Sequence, residues 1–186
     1  MPTIENTQSA AITHGDGVDV DRLLTGFALS LKERGWRVRG LVQSNSECGD
    51  GCARSMTLVD VDGSERYGIS QNLGPGSVSC CIDAGGVAEA CVVLRRALAE
   101  GADLVVANRF GGLEAAGGGF AAELLALMAE GVPLLTVVAD KHLEAWRHFT
   151  GDTSVLLPPR REALEAWFAA LHQDAALHSP ARRDSA

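Results

Sequence analysis

Short apolar runs alternate with longer segments of helical periodicity along this chain. The first apolar run covers residues 10–14. Apolar positions then recur at helical spacing from Leu23 to Leu31, and Gly35 is a typical helix stop. An alternating segment at 36–42 is typical of a second strand. This order of strand, helix and strand predicts a right-handed parallel unit.

The second half of the chain repeats the alternation of strand and helix. Strands are predicted at 104–108, 133–138 and 154–157, and helices at 120–130, 141–149 and 160–172. We therefore expect an α/β fold with three layers and a mostly parallel sheet.

The middle of the chain departs from this pattern. Residues 44–54 read as a polar insert, and 55–61 with 65–70 predict a β-hairpin that turns at an Asp-Gly pair. A helix over 87–100 follows, with Asp83 as its N-terminal cap. The hairpin is expected to extend the sheet with antiparallel strands.

Length and composition limit the organisation of the molecule. A chain of 186 residues is large enough to form one domain with a core of its own, predicted here over 1–177. The segment 178–186 is rich in charge and small residues and is predicted to be a disordered tail. The apolar runs are too short for a membrane helix, and the first residues do not resemble a secretion signal. These observations predict a cytoplasmic protein without membrane insertion.

The charge of the chain bears on its partners. The formal net charge is -8, which argues against nucleic acid, because neutralisation of phosphates dominates that affinity. Nearly all the basic residues are arginines, so a local site for a small anion stays open. We expect a small anionic ligand, and a homodimer is a candidate assembly.

Candidate chemistry is concentrated where the apolar run 104–107 ends. A strand covered on both faces delivers polar groups at its carboxyl end. Asn108 and Arg109 follow this run directly, and Gly111 and Glu114 lie in the glycine-rich segment after it. The segment resembles the acidic second motif of phosphate-loop nucleoside triphosphatases, with Asn-Arg in place of the Asp-Glu pair that holds magnesium and water.

The first loop is the second candidate for ligand binding. His14, Gly15, Asp16 and Gly17 follow the first strand, where a phosphate loop would carry GxxxxGK[ST]. A lysine is absent from this stretch of the sequence, and aspartates surround the start of the next helix, which opposes a bound polyphosphate. The loop amides and His14 stay candidates for contact with a smaller anion, although a single histidine is more often structural.

Further motifs match a bacterial family of unknown function, DUF2478. They lie in the family's order at 21–24, 35–43, 68–71, 81–83 and 131–138. Members of this family are similar to phosphate-loop nucleoside triphosphatases and are often encoded near molybdate-transport genes. The resemblance implies a phosphate-loop-like fold with an inserted hairpin and altered catalytic motifs. It also implies a site that includes the following positions: Gln43, Cys52, Cys81, Asp83, Asn108, Arg109, Phe110, Gly111 and Glu114.

Four cysteines form a separate candidate site. Cys52 and Cys81 match the family pattern, and together they are suited to a soft metal or a thiophilic oxyanion. Cys48 and Cys80 are additions of this chain, and their spacing suits a four-cysteine zinc site poorly, so zinc is the weaker alternative. Buried, unreactive thiols are a third alternative.

Arg109 allows two interpretations. Its guanidinium can offer paired hydrogen bonds to phosphate, molybdate or sulfate, or it can simply pair with Glu114.

Three functions follow from these alternatives. The first is an accessory protein that binds an oxyanion such as molybdate, or a nucleotide. The second is a nucleoside triphosphatase with Glu114 as the base that orients water and Arg109 as the charge stabiliser. The third is a scaffold that binds a protein partner without a small ligand, and the family resemblance implies a protein of molybdenum metabolism as that partner.

Overall fold

A computed structural model describes residues 8–46, 55–71 and 82–178. The strands in these ranges are β1 (Ser9–His14), β2 (Val38–Ser46), β3 (Ser55–Asp60), β4 (Arg66–Gly68), β5 (Leu104–Phe110), β6 (Leu134–Ala139) and β7 (Val155–Leu157). The helices are α1 (Val20–Glu33), α2 (Ala84–Glu100), α3 (Gly112–Ala115), α4 (Ala121–Ala129), α5 (Leu143–Thr150) and α6 (Arg161–His178).

The strands form one sheet in the order β4-β3-β2-β5-β6-β1-β7. Strands β2, β5, β6, β1 and β7 are parallel to one another, whereas β3 and β4 extend the sheet beyond β2 with antiparallel pairing. The predicted α/β class, the mostly parallel sheet and the inserted hairpin are confirmed. In this order β6 lies between β1 and β5, so the two candidate loops are one strand apart.

Both faces of the sheet are covered, which explains why β5 is apolar at every position from 104 to 107. Leu104 and Val106 pack into a cluster with α1 and α6, and Val105 and Ala107 pack into a cluster with α2 and α4. All four side chains have no exposed surface. A strand covered on two sides buries both sets of alternating side chains, as expected for a parallel α/β sheet.

Aromatic residues complete the two clusters. On the α1 and α6 side, Trp36 packs edge-on against Phe168 with ring centroids 5.1 Å apart. On the other side, the fully buried Trp146 of α5 packs against Phe110 at 5.0 Å and against Phe149 at 5.9 Å. Phe110 is the last residue of β5, so this aromatic group lies directly behind the end of the strand.

Several boundaries differ from the sequence predictions. β2 continues to Ser46, so the polar insert predicted over 44–54 was wrong for its first three residues, because pairing with β3 stabilises the extended backbone. The rest of the insert, 47–54, lies outside the described residues. Residues 112–115 form a short helix where only a glycine-rich loop was predicted. α6 extends to His178, and the rest of the predicted tail lies outside the described residues.

Within the described part of the chain, no helix combines the length and the apolar character needed to cross a membrane.

Candidate functional site

The candidate residues lie at the carboxyl edge of the sheet. β1, β6, β5 and β2 are mutually parallel neighbours, so their last residues reach the same edge. Ligands of open α/β sheets bind at this edge. The candidate residues predicted from the sequence at the ends of β1, β2 and β5 therefore lie at the same edge of the sheet.

A carboxylate on α1 is the centre of the polar network at this edge. Asp21, in the first turn of α1, accepts a 2.8 Å hydrogen bond from Nδ2 of Asn108 and a 3.1 Å bond from Nδ2 of Asn45. Nη2 of Arg109 contacts both Asp21 oxygens, at 2.9 and 3.1 Å. Strand ends β2 and β5 are thereby tied to the start of α1.

The network continues along β2 to Gln43. The Nε2 group of Gln43 donates to Oδ1 of Asn45 at 2.9 Å, which leaves the Asn45 amide nitrogen directed at Asp21. Asn108 is 1% exposed, and its Oδ1 atom is buried without a hydrogen-bond partner. The bond to the Asp21 carboxylate fixes the orientation of the Asn108 amide, because a flipped amide would bring two acceptors together. Buried polar side-chain atoms normally have a hydrogen-bond partner, so this unpartnered oxygen is an exception.

Arg109 is ion-paired, but its partner differs from the one predicted. The alternative that Arg109 pairs with Glu114 was wrong, because its guanidinium contacts Asp21. β5 bulges between Ala107 and Phe110, which shifts the register against β6, and the peptide bond between Asn108 and Arg109 is cis. The Arg109 side chain keeps 34% of its surface exposed, so part of the guanidinium is accessible to a ligand.

Glu114 is held by backbone amides. Its side chain is 5% exposed, and its two oxygens accept hydrogen bonds from the N–H groups of Gly111 at 2.9 Å and Phe120 at 3.0 Å. A Cβ atom on Gly119 would lie 2.0 Å from Oε1 of Glu114, and Gly119 has φ +54°. The carboxylate therefore ties the two ends of the segment 111–120 together, and only glycine fits at 119.

The loop after β1 has a different character. Gly15, Asp16 and Gly17 are exposed, and Nδ1 of His14 lies 3.1 Å from the Gly15 carbonyl oxygen. Nε2 of His14 is buried without a hydrogen-bond partner. Asp140, at the end of β6, has a carboxylate oxygen 3.2 Å from the position of a Cβ on Gly15. The loop thus carries acidic neighbours, and none of the hydrogen bonds described for these four residues joins them to the Asp21 network.

Two cavities flank the end of β2. The α2-side cavity has a volume of about 330 Å³ and is lined by Gln43, Asn45, Met56, Leu58, Ile69, Ile82, Val87, Asn108, Arg109, Gly111, Gly112, Leu113, Glu114 and Phe120. The α1-side cavity, about 670 Å³, includes Asp19, Asp21, Arg22, Thr25, Leu29, Gln43, Asn45, Val59 and Arg66 in its wall. Gln43 and Asn45 belong to both walls, and they separate the two spaces.

The cysteine site predicted from the sequence cannot be described. Cys48, Cys52, Cys80 and Cys81 lie outside the described residues. The described Cys91 is a free, buried thiol, and burial together with the nearby Glu123 raises its pKa to about 11. Within the described ranges there is no group of three or more His, Cys, Asp or Glu residues that could hold a metal ion.

Sequence reasoning missed two residues of the network. Asp21 was interpreted only as one of the aspartates at the helix start that oppose a polyphosphate, and Asn45 fell in the predicted insert. Alternation was the signal for Asn45, because Gln43 and Asn45 are two positions apart and share one face of β2. For Asp21, the signal was an acidic residue where a phosphate loop carries a basic or hydroxyl group, opposite a basic residue at the end of β5.

Comparisons with known proteins agree with this fold. The solution structure of a human cancer-related nucleoside triphosphatase is similar, with a TM-score of 0.64 and 17% identity over 92% of this chain and 99% of that chain. A molybdenum import ATP-binding protein, ModC 2 of Bradyrhizobium diazoefficiens, is 40% identical over 165 residues. The match covers 89% of this chain but 18% of that protein, so the chain spans less than a fifth of this relative. Residues 9–167 match the family described as "Protein of unknown function (DUF2478)", and the chain therefore belongs to the DUF2478 family.

Proposed function

We propose that this protein binds a small anionic ligand in the α2-side cavity and acts as an accessory protein rather than as a hydrolase. The ligand is an oxyanion such as molybdate, or a nucleotide. The observation that carries the proposal is that Asn45, Asn108 and Arg109, whose donors converge on the Asp21 carboxylate, all line this cavity.

The lining of the cavity supports ligand binding. Most of the wall is apolar, with Met56, Leu58 and Phe120 among its residues, and side chains with hydrogen-bond donors are few. Such a cavity, with few convergent polar groups, is typical of small-molecule sites. The volume of about 330 Å³ is at the lower end of the usual range for such sites.

The charges at this edge favour binding over hydrolysis. Phosphoryl transfer needs a cationic cradle and metal ligands, whereas here a carboxylate lies at the start of α1 and a guanidinium at the end of β5. Glu114 is buried, and each of its oxygens accepts a backbone hydrogen bond, which supports a structural role for this carboxylate. The proposal therefore assigns no hydrolytic step to Glu114.

The relative with a molybdenum-import name supplies the candidate ligands. Its name joins molybdenum import with ATP binding, and this chain matches only a part of it. We propose that the ligand comes from one of these two chemistries, molybdate or an adenine nucleotide. The Arg109 guanidinium suits both, because it offers several N–H groups to an oxyanion or a phosphoryl group.

Isothermal calorimetry tests the proposal with molybdate, tungstate, phosphate, AMP and ATP. Wild type is expected to bind at least one of them, and Arg109→Ala is expected to lose that binding. Arg34→Ala is the matched control, because Arg34 also pairs with a carboxylate, Glu165 at 2.8 Å, but lies at the other end of α1. Absence of binding to every probe at millimolar concentration rejects the ligand site and favours the scaffold alternative.

A phosphate-release assay on the same samples addresses the hydrolase alternative. No release above the buffer blank is expected with ATP or GTP and magnesium. Release by wild type that disappears in Glu114→Gln, with the variant still folded, would overturn the accessory role.

A further inference from the structure

We propose that the Asp21 carboxylate, which is tethered to the protein chain, competes with the ligand for the same hydrogen-bond donors. It takes the hydrogen-bond donors of Asn45, Asn108 and Arg109 that the anionic group of a bound ligand would use. This inference rests on the proposed function, and it specifies how that site selects and admits its ligand.

The contacts of Asp21 are those of a bound anion. Its two oxygens receive four hydrogen-bond contacts, two from Arg109 and one each from Asn45 and Asn108, at 2.8 to 3.1 Å. Charge-assisted bonds of this length are the strong class of hydrogen bond. The three donor residues therefore form an anion site whose present occupant belongs to the chain itself.

Asp21 and the proposed ligand cavity lie on different sides of these three residues. Asp21 belongs to the wall of the α1-side cavity, whereas Asn108 and Arg109 belong to the wall of the α2-side cavity. Asn45 belongs to both walls. A ligand entering from the α2 side meets the same three residues, and it obtains their donors only when it displaces Asp21 and the donor groups turn toward it.

Displacement of Asp21 is structurally feasible. The N-terminal cap of α1 is Asp19, whose side chain accepts a bond from the Arg22 amide at 3.1 Å, so the helix start does not depend on the Asp21 carboxylate. Asp21 also borders the α1-side cavity of about 670 Å³, which gives its side chain room to turn away. The freed carboxylate would then be hydrated instead of buried without a partner.

The competition predicts a selection by charge. A ligand with the single charge of a carboxylate offers Arg109 no more than Asp21 already does, whereas a dianion such as a phosphoryl group or molybdate offers a stronger partner. The tether lowers the apparent affinity for every anion, because only the fraction of molecules with displaced Asp21 is competent to bind. Phosphoryl and oxyanion ligands are thus admitted and carboxylates are excluded.

The test measures binding of molybdate, inorganic phosphate, AMP and acetate to wild type, Asp21→Ala and Asp21→Asn by calorimetry. Asp21→Ala is expected to bind the dianions at least about tenfold more tightly and to gain measurable affinity for acetate. Asp21→Asn keeps an acceptor without the charge, so a smaller gain is expected. Glu33→Gln is the control, because Glu33 is an exposed carboxylate on the same helix.

The outcomes separate this inference from the proposed function. If wild type binds a dianion and Asp21→Ala and Asp21→Asn bind it equally or more weakly while folded, the tether is refuted and the ligand site stands. If Asp21→Ala binds tightly and Arg109→Ala in that background removes the gain, the tether is supported. If no variant binds any probe, both proposals fail. Should Asp21→Ala not fold, Asp21→Asn decides by the same criteria.

Discussion

Two loops leave the carboxyl edge of the sheet, and they are built in opposite ways. The loop after β1, residues 15–19, is exposed and carries Asp16 and Asp19. The segment after β5, residues 111–120, closes around the buried Glu114, which accepts amides from both of its ends. The charged side chains of the first loop are exposed, whereas the Glu114 carboxylate of the second segment is buried and holds the two ends of that segment together.

The difference shows where recognition can arise at this edge. In a phosphate loop, backbone amides and a lysine after the first strand hold the anion. Here the first loop lacks the lysine, and the donors that converge are side chains at the ends of β2 and β5. Asn45, Asn108 and Arg109 stand on strands and are fixed by the sheet, which suits precise positioning better than an exposed loop does.

The largest loss of stability is expected when Glu114, whose carboxylate joins the two ends of the segment 111–120, is replaced. Glu114→Ala leaves two backbone N–H groups without their acceptor in a buried setting, and should lower the free energy of unfolding by about 2 to 5 kcal/mol. Glu114→Gln keeps one acceptor oxygen and should cost less. Urea denaturation of both variants beside Glu130→Gln, at an exposed position, measures the difference. Equal stability of Glu114→Ala and wild type would contradict the structural role.

Two glycines of the second segment, Gly117 and Gly119, test whether close packing against Glu114 matters for stability. Gly119→Ala combines φ +54° with a Cβ placed 2.0 Å from Glu114, and should destabilise the protein by about 2 to 4 kcal/mol. Gly117→Ala has φ +85° but open space around the new Cβ, and should cost only about 1 to 2 kcal/mol. Thermal unfolding of the two variants compares steric conflict with backbone conformation alone. A loss at 117 as large as the loss at 119 would show that contact with Glu114 is unimportant.

Arg109 tests whether the side chains of the strand ends carry recognition. Arg109→Lys keeps one charge without the planar fork, and Arg109→Ala removes both, so affinity should fall in two steps of about 1 to 3 kcal/mol at most. Stability should change less, because partly exposed ion pairs contribute about 0 to 1 kcal/mol. Calorimetry and melting are to be measured on the same samples. Lower melting temperatures with unchanged affinity would make Arg109 a structural residue.

Cys91 connects α2 to the second segment, and ionisation of its thiol is expected to have the smallest effect among these predictions. Its thiol donates to the Gly119 carbonyl oxygen at 3.7 Å, and burial raises its pKa from 9.0 to about 11. A raised pKa means that the folded state favours the protonated thiol, so the contribution to stability is complete below pH 9 and is lost as pH rises through about 11. Denaturation from pH 8 to 11 should show a steeper loss for wild type than for Cys91→Ala. Parallel curves would contradict this linkage.

The sequence predicted the fold well because its strongest signals are those of strands covered on both sides. The run 104–107 is apolar at every position since α1 and α6 cover one face and α2 and α4 the other. The Asp83 cap and the hairpin after β2 depend on local chemistry and were also predictable. The end of β2 was not, because polar residues form a strand there only through pairing with β3.

The polar network could be predicted only in part. Asn108 and Arg109 were identified as candidates because a strand ending in polar groups is a local pattern, whereas Gln43 was a candidate only through the family resemblance. Their link to Asp21 spans 87 positions between Asp21 and Asn108, and such a contact depends on the order of strands in the sheet. The role of Glu114 was equally hidden, because a carboxylate that accepts backbone amides has the same sequence signature as one that activates water.

The separation of aromatic residues between the two layers gives the molecule two independent optical reporters. Trp146 is fully buried behind Phe110, whereas Trp36 and Trp167 belong to the cluster of α1 and α6. Indole emission depends on the immediate surroundings of the ring, so a variant that keeps only Trp146 would follow the layer behind the end of β5. A variant that keeps only Trp36 would follow the layer that contains α1. Fluorescence can therefore assign a ligand-induced change to one side of the sheet without any added label.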